Sequence, residues 1–187
     1  MENTRKAIIK MLKDTNRVGM DKLINYMDEA GFFSCPASTS YHGAKEGGLA
    51  EHSLNVLNTA WQMAYALLGE DGLKEYSDSI TICALLHDLG KVGQFGKPYY
   101  IDNVLKSGKK SESKPYTTNS DLMTLPHEIT SVIEISKYIE LTEEEQRAIA
   151  YHNGLYSVFK YEIQGKETPL YMLIHFADMW ASRVIER

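Results

Sequence analysis

The run Ile80-Thr81-Ile82-Cys83-Ala84-Leu85-Leu86 is apolar on nearly every side and ends on His87-Asp88. A helix without a polar face has to be surrounded by other elements, so this segment sets a central buried helix. It also carries an imidazole and a carboxylate inward. Burying a lone carboxylate is costly unless a cation or hydrogen-bond donors compensate it, so the pair needs a partner.

The remaining pattern is helical too. Ile8, Met11 and Leu12 are at helical spacing, and Met20 to Ala30 repeats the pattern before Gly31 supplies a stop. A long helix is expected from Leu49 to Leu68, where Leu49, Val56, Leu57, Ala60, Met63, Ala64 and Leu67 recur at i, i+3 and i+4 and Gly69 closes it. Asp78 or Ser79 then caps the central helix. Pro126 at a first helical position introduces His127 to Ile139, Thr142-Glu143-Glu144-Glu145 has the capping-box arrangement for a helix to Asn153, and Thr168-Pro169 starts a last helix over Leu170 to Arg187. No strand pattern or internal repeat stands out, so the expected fold class is all-α, a helical bundle. Between Val92 and Leu125 the composition shifts to Gly, Lys, Ser, Pro and Tyr, and a connection this long inside a compact domain is more often functional than idle. It is expected to cover the site as an irregular flap.

With 187 residues the chain has room for one domain over 1–187, in which 1–40 forms an N-terminal helical extension and 92–125 the flap. Its 43% hydrophobic and 24% charged residues exclude the disordered class. A formal net charge of −5 excludes the broad basic field of a duplex nucleic-acid binder, leaving a small anionic ligand in a local pocket as the partner. Lys106, Lys109, Lys110 and Lys114 read as a solvated loop. Cys35 and Cys83 imply no disulfide framework, and no apolar stretch reaches signal-peptide or membrane-span length, so a reduced, cytoplasmic setting without a membrane is expected.

Ionisable residues recur on these apolar helices: His52, His87, Asp88, His127, His152, and Asp178 within Ile174-His175-Phe176-Ala177-Asp178. Imidazole nitrogens and carboxylate oxygens make a mixed donor set suited to Mn, Fe, Co, Ni or Zn, and facing helices are a usual place to assemble one. His52, His87, Asp88 and Asp178 read together as such a set. His127 and His152 read equally well as ligands and as hydrogen-bonded core residues. Neighbours on a helix point about 100° apart, so His87 and Asp88 both reach a metal only near the helix axis line, or two metals with Asp88 between them.

Three segments carry a resemblance: Gly47-Gly48-Leu49-Ala50-Glu51-His52-Ser53-Leu54, Leu85-Leu86-His87-Asp88-Leu89-Gly90-Lys91, and His175-Phe176-Ala177-Asp178. In order and spacing they resemble the signatures of the HD phosphohydrolase superfamily. Leu125-Pro126-His127-Glu128 and Ala150-Tyr151-His152-Asn153-Gly154 are similar to small stand-alone HD hydrolases of bacteria and their phages. A 3′-5′ exoribonuclease family with a similar HD domain keeps two adjacent histidines where this chain has His152-Asn153.

The resemblance implies an HD-domain helical bundle and a divalent metal on His52, His87, Asp88 and Asp178, with Asp88 able to bridge to a second ion on His127 and His152. It implies hydrolysis of a phosphomonoester or phosphodiester by a water that the metal makes acidic, most naturally in a nucleotide or short oligonucleotide. Lys91 reads either as an exposed lysine or as the charge that neutralises a phosphate oxygen. His42 is balanced between a loop residue and a phosphate contact or leaving-group acid. Glu51 and Glu128 read first as exposed helix residues, otherwise as carboxylates that orient an imidazole. His175 shares the face of Asp178 but ranks below it. Tyr99, Tyr100, Tyr116 and Phe95 offer flat faces for a nucleobase, so Tyr99, Tyr116 and Lys91 are the expected substrate contacts. Two other functions stay open: a di-iron HD-type oxygenase, and a nucleotide-binding HD module without turnover.

Overall fold

The computed structural model describes residues 2–123, 125–157 and 160–187, so Thr124 of the flap lies outside the described residues. The elements are α1 (Glu2–Asp14), α2 (Met20–Glu29), α3 (Gly48–Leu86), a 3-10 turn (Leu89–Val92), β1 (Tyr100–Asp102), β2 (Tyr116–Thr118), α4 (His127–Ser136), α5 (Glu143–Ala150), a 3-10 turn (Gly154–Tyr156), α6 (Lys160–Ile163), α7 (Pro169–Trp180) and a π-helical turn (Ala181–Ile185). The class is all-α, with α3 packed on α7, α1 and α5.

Apolar spacing becomes burial directly. Ile8 and Leu12 of α1, Leu23 and Met27 of α2, Leu49 and Leu57 of α3, Ile149 of α5 and Ile174 of α7 share one core with the fully buried Ile80, Ile82, Leu85 and Leu86. No described helix is long and apolar enough to cross a membrane.

Five expectations about boundaries need correction. Gly69 interrupts α3 with φ 73° and ψ −170°, but the helix resumes at once and runs on to Leu86. Asp78 and Ser79 are therefore interior, and the Ser79 hydroxyl donates to Glu145 on another helix (2.8 Å) instead of capping its own. Pro126 is the residue before α4, with extended ψ 137°, not its first helical residue. The helix opened by Thr142 has the full capping box, Thr142 Oγ1 accepting from Glu145 N (3.1 Å) and Glu145 Oε2 from Thr142 N (2.9 Å), but ends at Ala150 with turns beyond. The final helix ends at Trp180 and passes into the π turn.

The flap holds a short antiparallel hairpin, Tyr100 opposite Thr118 and Asp102 opposite Tyr116. Its strands are three residues each and half-buried at most, too short for an alternating pattern to show in the sequence. It docks on the loop before α3, where Tyr116 N donates to the Thr39 carbonyl (3.2 Å).

Candidate metal centre

His52 comes one turn into α3, His87 closes that helix, His127 opens α4, His152 follows α5, and Asp178 is on α7. The adjacency of His87 and Asp88 is resolved by the backbone. Asp88 has left the α-helix (φ −103°, ψ 12°), and its carboxylate turns back toward the His87 ring, Oδ2 lying 3.4 Å from Nε2. Gly90 allows the next step of the turn to press against α4. A Cβ there would stand 2.3 Å from the His127 carbonyl oxygen, and Gly90 N donates to Ser131 Oγ at 2.8 Å.

The two oxygens of Asp88 face different ways. Oδ1 is 3.1 Å from His127 Nε2 and 3.5 Å from His152 Nε2, while Oδ2 is 3.8 Å from His52 Nε2 and 2.6 Å from Lys91 Nζ. Asp178 Oδ1 is 3.2 Å from His52 Nε2.

Each imidazole is held from behind. Nδ1 of His87 donates to the Ala84 carbonyl (2.9 Å) and Nδ1 of His152 to that of Ile149 (2.8 Å). Nδ1 of His52 lies 3.1 Å from both oxygens of Glu186, and Nδ1 of His127 is 3.3 Å from Glu128 Oε2. An imidazole that donates through Nδ1 presents an Nε2 lone pair, the form that ligates a metal. His52 Nε2, His87 Nε2 and Asp88 Oδ1 are buried without a hydrogen-bond partner, which leaves inward-facing donor atoms for a cation to satisfy. His52, His87 and Asp178 form one group with ligand atoms within 4.8 Å of one another, and His87, Asp88 and His152 a second. The set fits a divalent transition metal by donor type and by spacing.

Without such an ion, opposite charges hold the site together. Burial works against ionised Asp88, but Lys91 and His87 outweigh it and keep the carboxyl well below its usual range. Burial likewise opposes charge on His52, yet the carboxylates of Asp178 and Glu186 on its two sides outweigh it and raise its pKa to about 9. Lys91 is raised for the same reason, burial being outweighed by Asp88. His42, whose Nε2 is buried without a partner and whose ring centroid is 4.8 Å from that of His52, is pushed by burial down to about 4.

A cavity of about 480 Å³ opens above these groups, lined by Tyr41, His42, Asp88, Lys91, His127, His152, Asn153, Tyr156, His175, Asp178, Met179, Ser182 and Arg183. Among the described residues, none of the 92–125 flap is in that lining. Tyr99 stacks edge-on against Tyr100, and the Tyr116 ring lies under Lys110 Nζ at 3.8 Å. Phe95 is 85% exposed outside the cavity. The aromatic rings at the cavity are Tyr41 and Tyr156, 82% and 71% exposed, with the Arg183 guanidinium 5.2 Å over the Tyr156 ring.

Glu51 pairs with Lys45 (2.6 Å) as a half-exposed helix residue. Glu128, by contrast, is buried beside His127 and accepts from Asn153 Nδ2 (2.8 Å), correcting its reading as exposed. Asn153 Nδ2 also lies 3.3 Å from His152 Nε2 and 3.4 Å from His127 Nε2, beside both rings. His175 Nδ1 donates to the His152 carbonyl (2.7 Å), a bracing role for the turn that carries His152. Sequence reasoning missed Glu186, Asn55, Arg183 and Tyr156. None follows a motif spacing, and only the exposed aromatic after His-Asn-Gly could have been suspected.

The HD domain family model matches residues 49–178, and the chain belongs to the HD-domain family. The dihydroneopterin 2′,3′-cyclic phosphate phosphodiesterase of Methanocaldococcus jannaschii is 30% identical over 187 residues, covering 98% of this chain. The chain spans 64% of that relative's length. No solved structure matches the chain.

Proposed function

We propose that residues 1–187 form one HD unit that acts as a divalent-metal-dependent phosphohydrolase on a small phosphodiester carrying a planar heterocycle. A 2′,3′-cyclic nucleotide and a pterin cyclic phosphate of the kind named for the M. jannaschii relative both belong to that class. The observation that carries the proposal is the convergence of His52 Nε2, His87 Nε2 and Asp88 Oδ1, buried and without hydrogen-bond partners, at the foot of an open cavity. Its volume of about 480 Å³ suits a mononucleotide-sized ligand and not a duplex.

His52, His87 and Asp178 would hold one cation and His127 and His152 a second, with Asp88 facing both through its separate oxygens. A cation bound there supplies a Lewis acid for a phosphoryl oxygen and a water acidic enough to attack near neutral pH. The chain's own groups do the rest. Lys91 Nζ, at the cavity wall beside Asp88, neutralises phosphate charge as it grows. Neutral His42 stands at the same wall to accept or hand over a proton. Tyr41 and Tyr156 offer stacking faces for the heterocycle, and Arg183 a bidentate contact to phosphate.

Metal content by elemental analysis, paired with product release from a Mn²⁺-supplemented panel, tests this reading. The panel contains 2′,3′-cyclic nucleotides, dihydroneopterin 2′,3′-cyclic phosphate and nucleoside monophosphates. Opening of a cyclic phosphate with metal bound is the expected result. Release from monoesters alone would make the chain a nucleotidase, and no metal after reloading would overturn the centre. Lys91→Ala should retain metal while the barrier rises by about 2–4 kcal/mol, read as the kcat ratio. An unchanged kcat would remove Lys91 from the chemistry.

A further inference from the structure

The contact behind His52 differs from those behind His87 and His152. The latter two rings are braced by carbonyls of their own or the preceding helix, three residues back. His52 is braced by a carboxylate 134 residues away, with both oxygens of Glu186 at 3.1 Å from Nδ1. Glu186 is itself fixed, because Asn55 Nδ2 donates to its Oε1 at 3.0 Å and its side chain is only 11% exposed. Asn55 is three residues after His52, on the same face of α3. The carboxylate reaches this place from the end of the π turn Ala181–Ile185, beyond the stretch that matches the family model.

We infer that Glu186, clamped by Asn55, is a positioning residue that locks His52 in the Nδ1–H tautomer and aims its Nε2 at the metal. This rests on the metal centre proposed above. A carboxylate accepts only from Nδ1–H, so the contact removes the tautomer that would point a proton at the ion. It also fixes the ring plane, which no local carbonyl does for His52. Carboxylates behind metal-bound imidazoles commonly govern affinity in this way.

Another arrangement uses the same atoms. His42, His52 and Glu186 offer ligand atoms within 4.8 Å of one another, so Glu186 could bind an ion directly. That would take His52 Nδ1 as a ligand while Nε2 faces Asp178, and a neutral imidazole has only one free lone pair. The positioning role needs no such imidazolate.

The test compares Mn²⁺ binding by calorimetry and elemental analysis in the full wild-type chain, Glu186→Gln and Asn55→Ala, with apo Tm as a fold control. Glu186→Gln should weaken Mn²⁺ about 10–100-fold with the number of ions per chain unchanged, and Asn55→Ala should do so less. Glu186→Asp should recover part of the affinity. Equal affinity in Glu186→Gln would overturn the inference. So would the loss of one ion per chain with the remaining affinity unaltered, since Glu186 would then be a ligand. Should the wild type take up no Mn²⁺, the metal centre fails, and imidazole ¹⁵N shifts of His52 in the apo chain, read at a pH above about 9 where the ring is neutral, decide the rest. Nδ1 protonation that Glu186→Gln abolishes supports the lock, and an unaffected tautomer overturns it.

Discussion

Asp88→Ala is expected to remove bound metal and reduce turnover by more than about 10³-fold, beyond the loss of a single transition-state contact. The reason is that Asp88 serves both halves of the site. Its Oδ1 faces His127 and His152, and its Oδ2 faces His52, His87 and Lys91. No neighbouring carboxylate replaces it, because Asp178 contacts only the His52 side. The substitution also leaves Lys91 buried without its counter-charge, so Asp88→Asn, which keeps the shape, separates lost ligation from lost folding. Asp178→Ala should act in the same direction with metal affected mainly at the His52 side. Elemental analysis and kcat on the same preparations decide it, and full metal with full rate in Asp88→Asn would place the centre elsewhere.

The parts of this molecule that were legible in the sequence are those where one residue's neighbours along the chain determine its surroundings. Leu49, Val56, Leu57, Ala60 and Ala64 are buried because their spacing puts them on one face of α3, and Ile80–Leu86 because no face is polar. His52, His87 and Asp178 come together because each is carried on such a helix, and the His-Asp order marks where α3 ends. What stayed hidden depends on contacts made across the chain. Glu186 reaches His52 over 134 residues, and Arg17 reaches Glu145 over 128. Glu128 looked like an exposed helix residue because nothing local shows that Asn153 and His127 enclose it. Gly69 shows the opposite failure. Its place after the last periodic residue reads as a helix stop, but a glycine at positive φ with open space around it permits the next turn to start immediately.

Away from the metal centre, Glu145→Ala should cost about 3 kcal/mol of stability, the lower end of what breaking a buried ion pair costs, since Arg17 keeps partial access to water. The Glu145 side chain is fully buried, with Oε1 2.7 Å from Arg17 Nη2 and 2.8 Å from Ser79 Oγ, and Oε2 2.9 Å from both Arg17 Nη1 and Thr142 N. Through these contacts one carboxylate joins the segment after α1 to α3 and caps α5. Burial alone would raise its pKa, but the hydrogen bonds from Arg17, Thr142 and Ser79 outweigh that and hold it below the ordinary glutamate value. A carboxyl depressed by folding stabilises above its unfolded pKa, about 4.3, and that contribution is lost as pH falls through the lower folded value. Wild type should therefore lose stability on acidification below about pH 4 more steeply than Glu145→Ala, so the gap between their denaturation midpoints narrows there. Chemical denaturation of both chains at neutral and acid pH measures the difference. A midpoint for Glu145→Ala equal to wild type at neutral pH would show that the pair only offsets its own desolvation, and that the apolar core holds α5 against α3 without it.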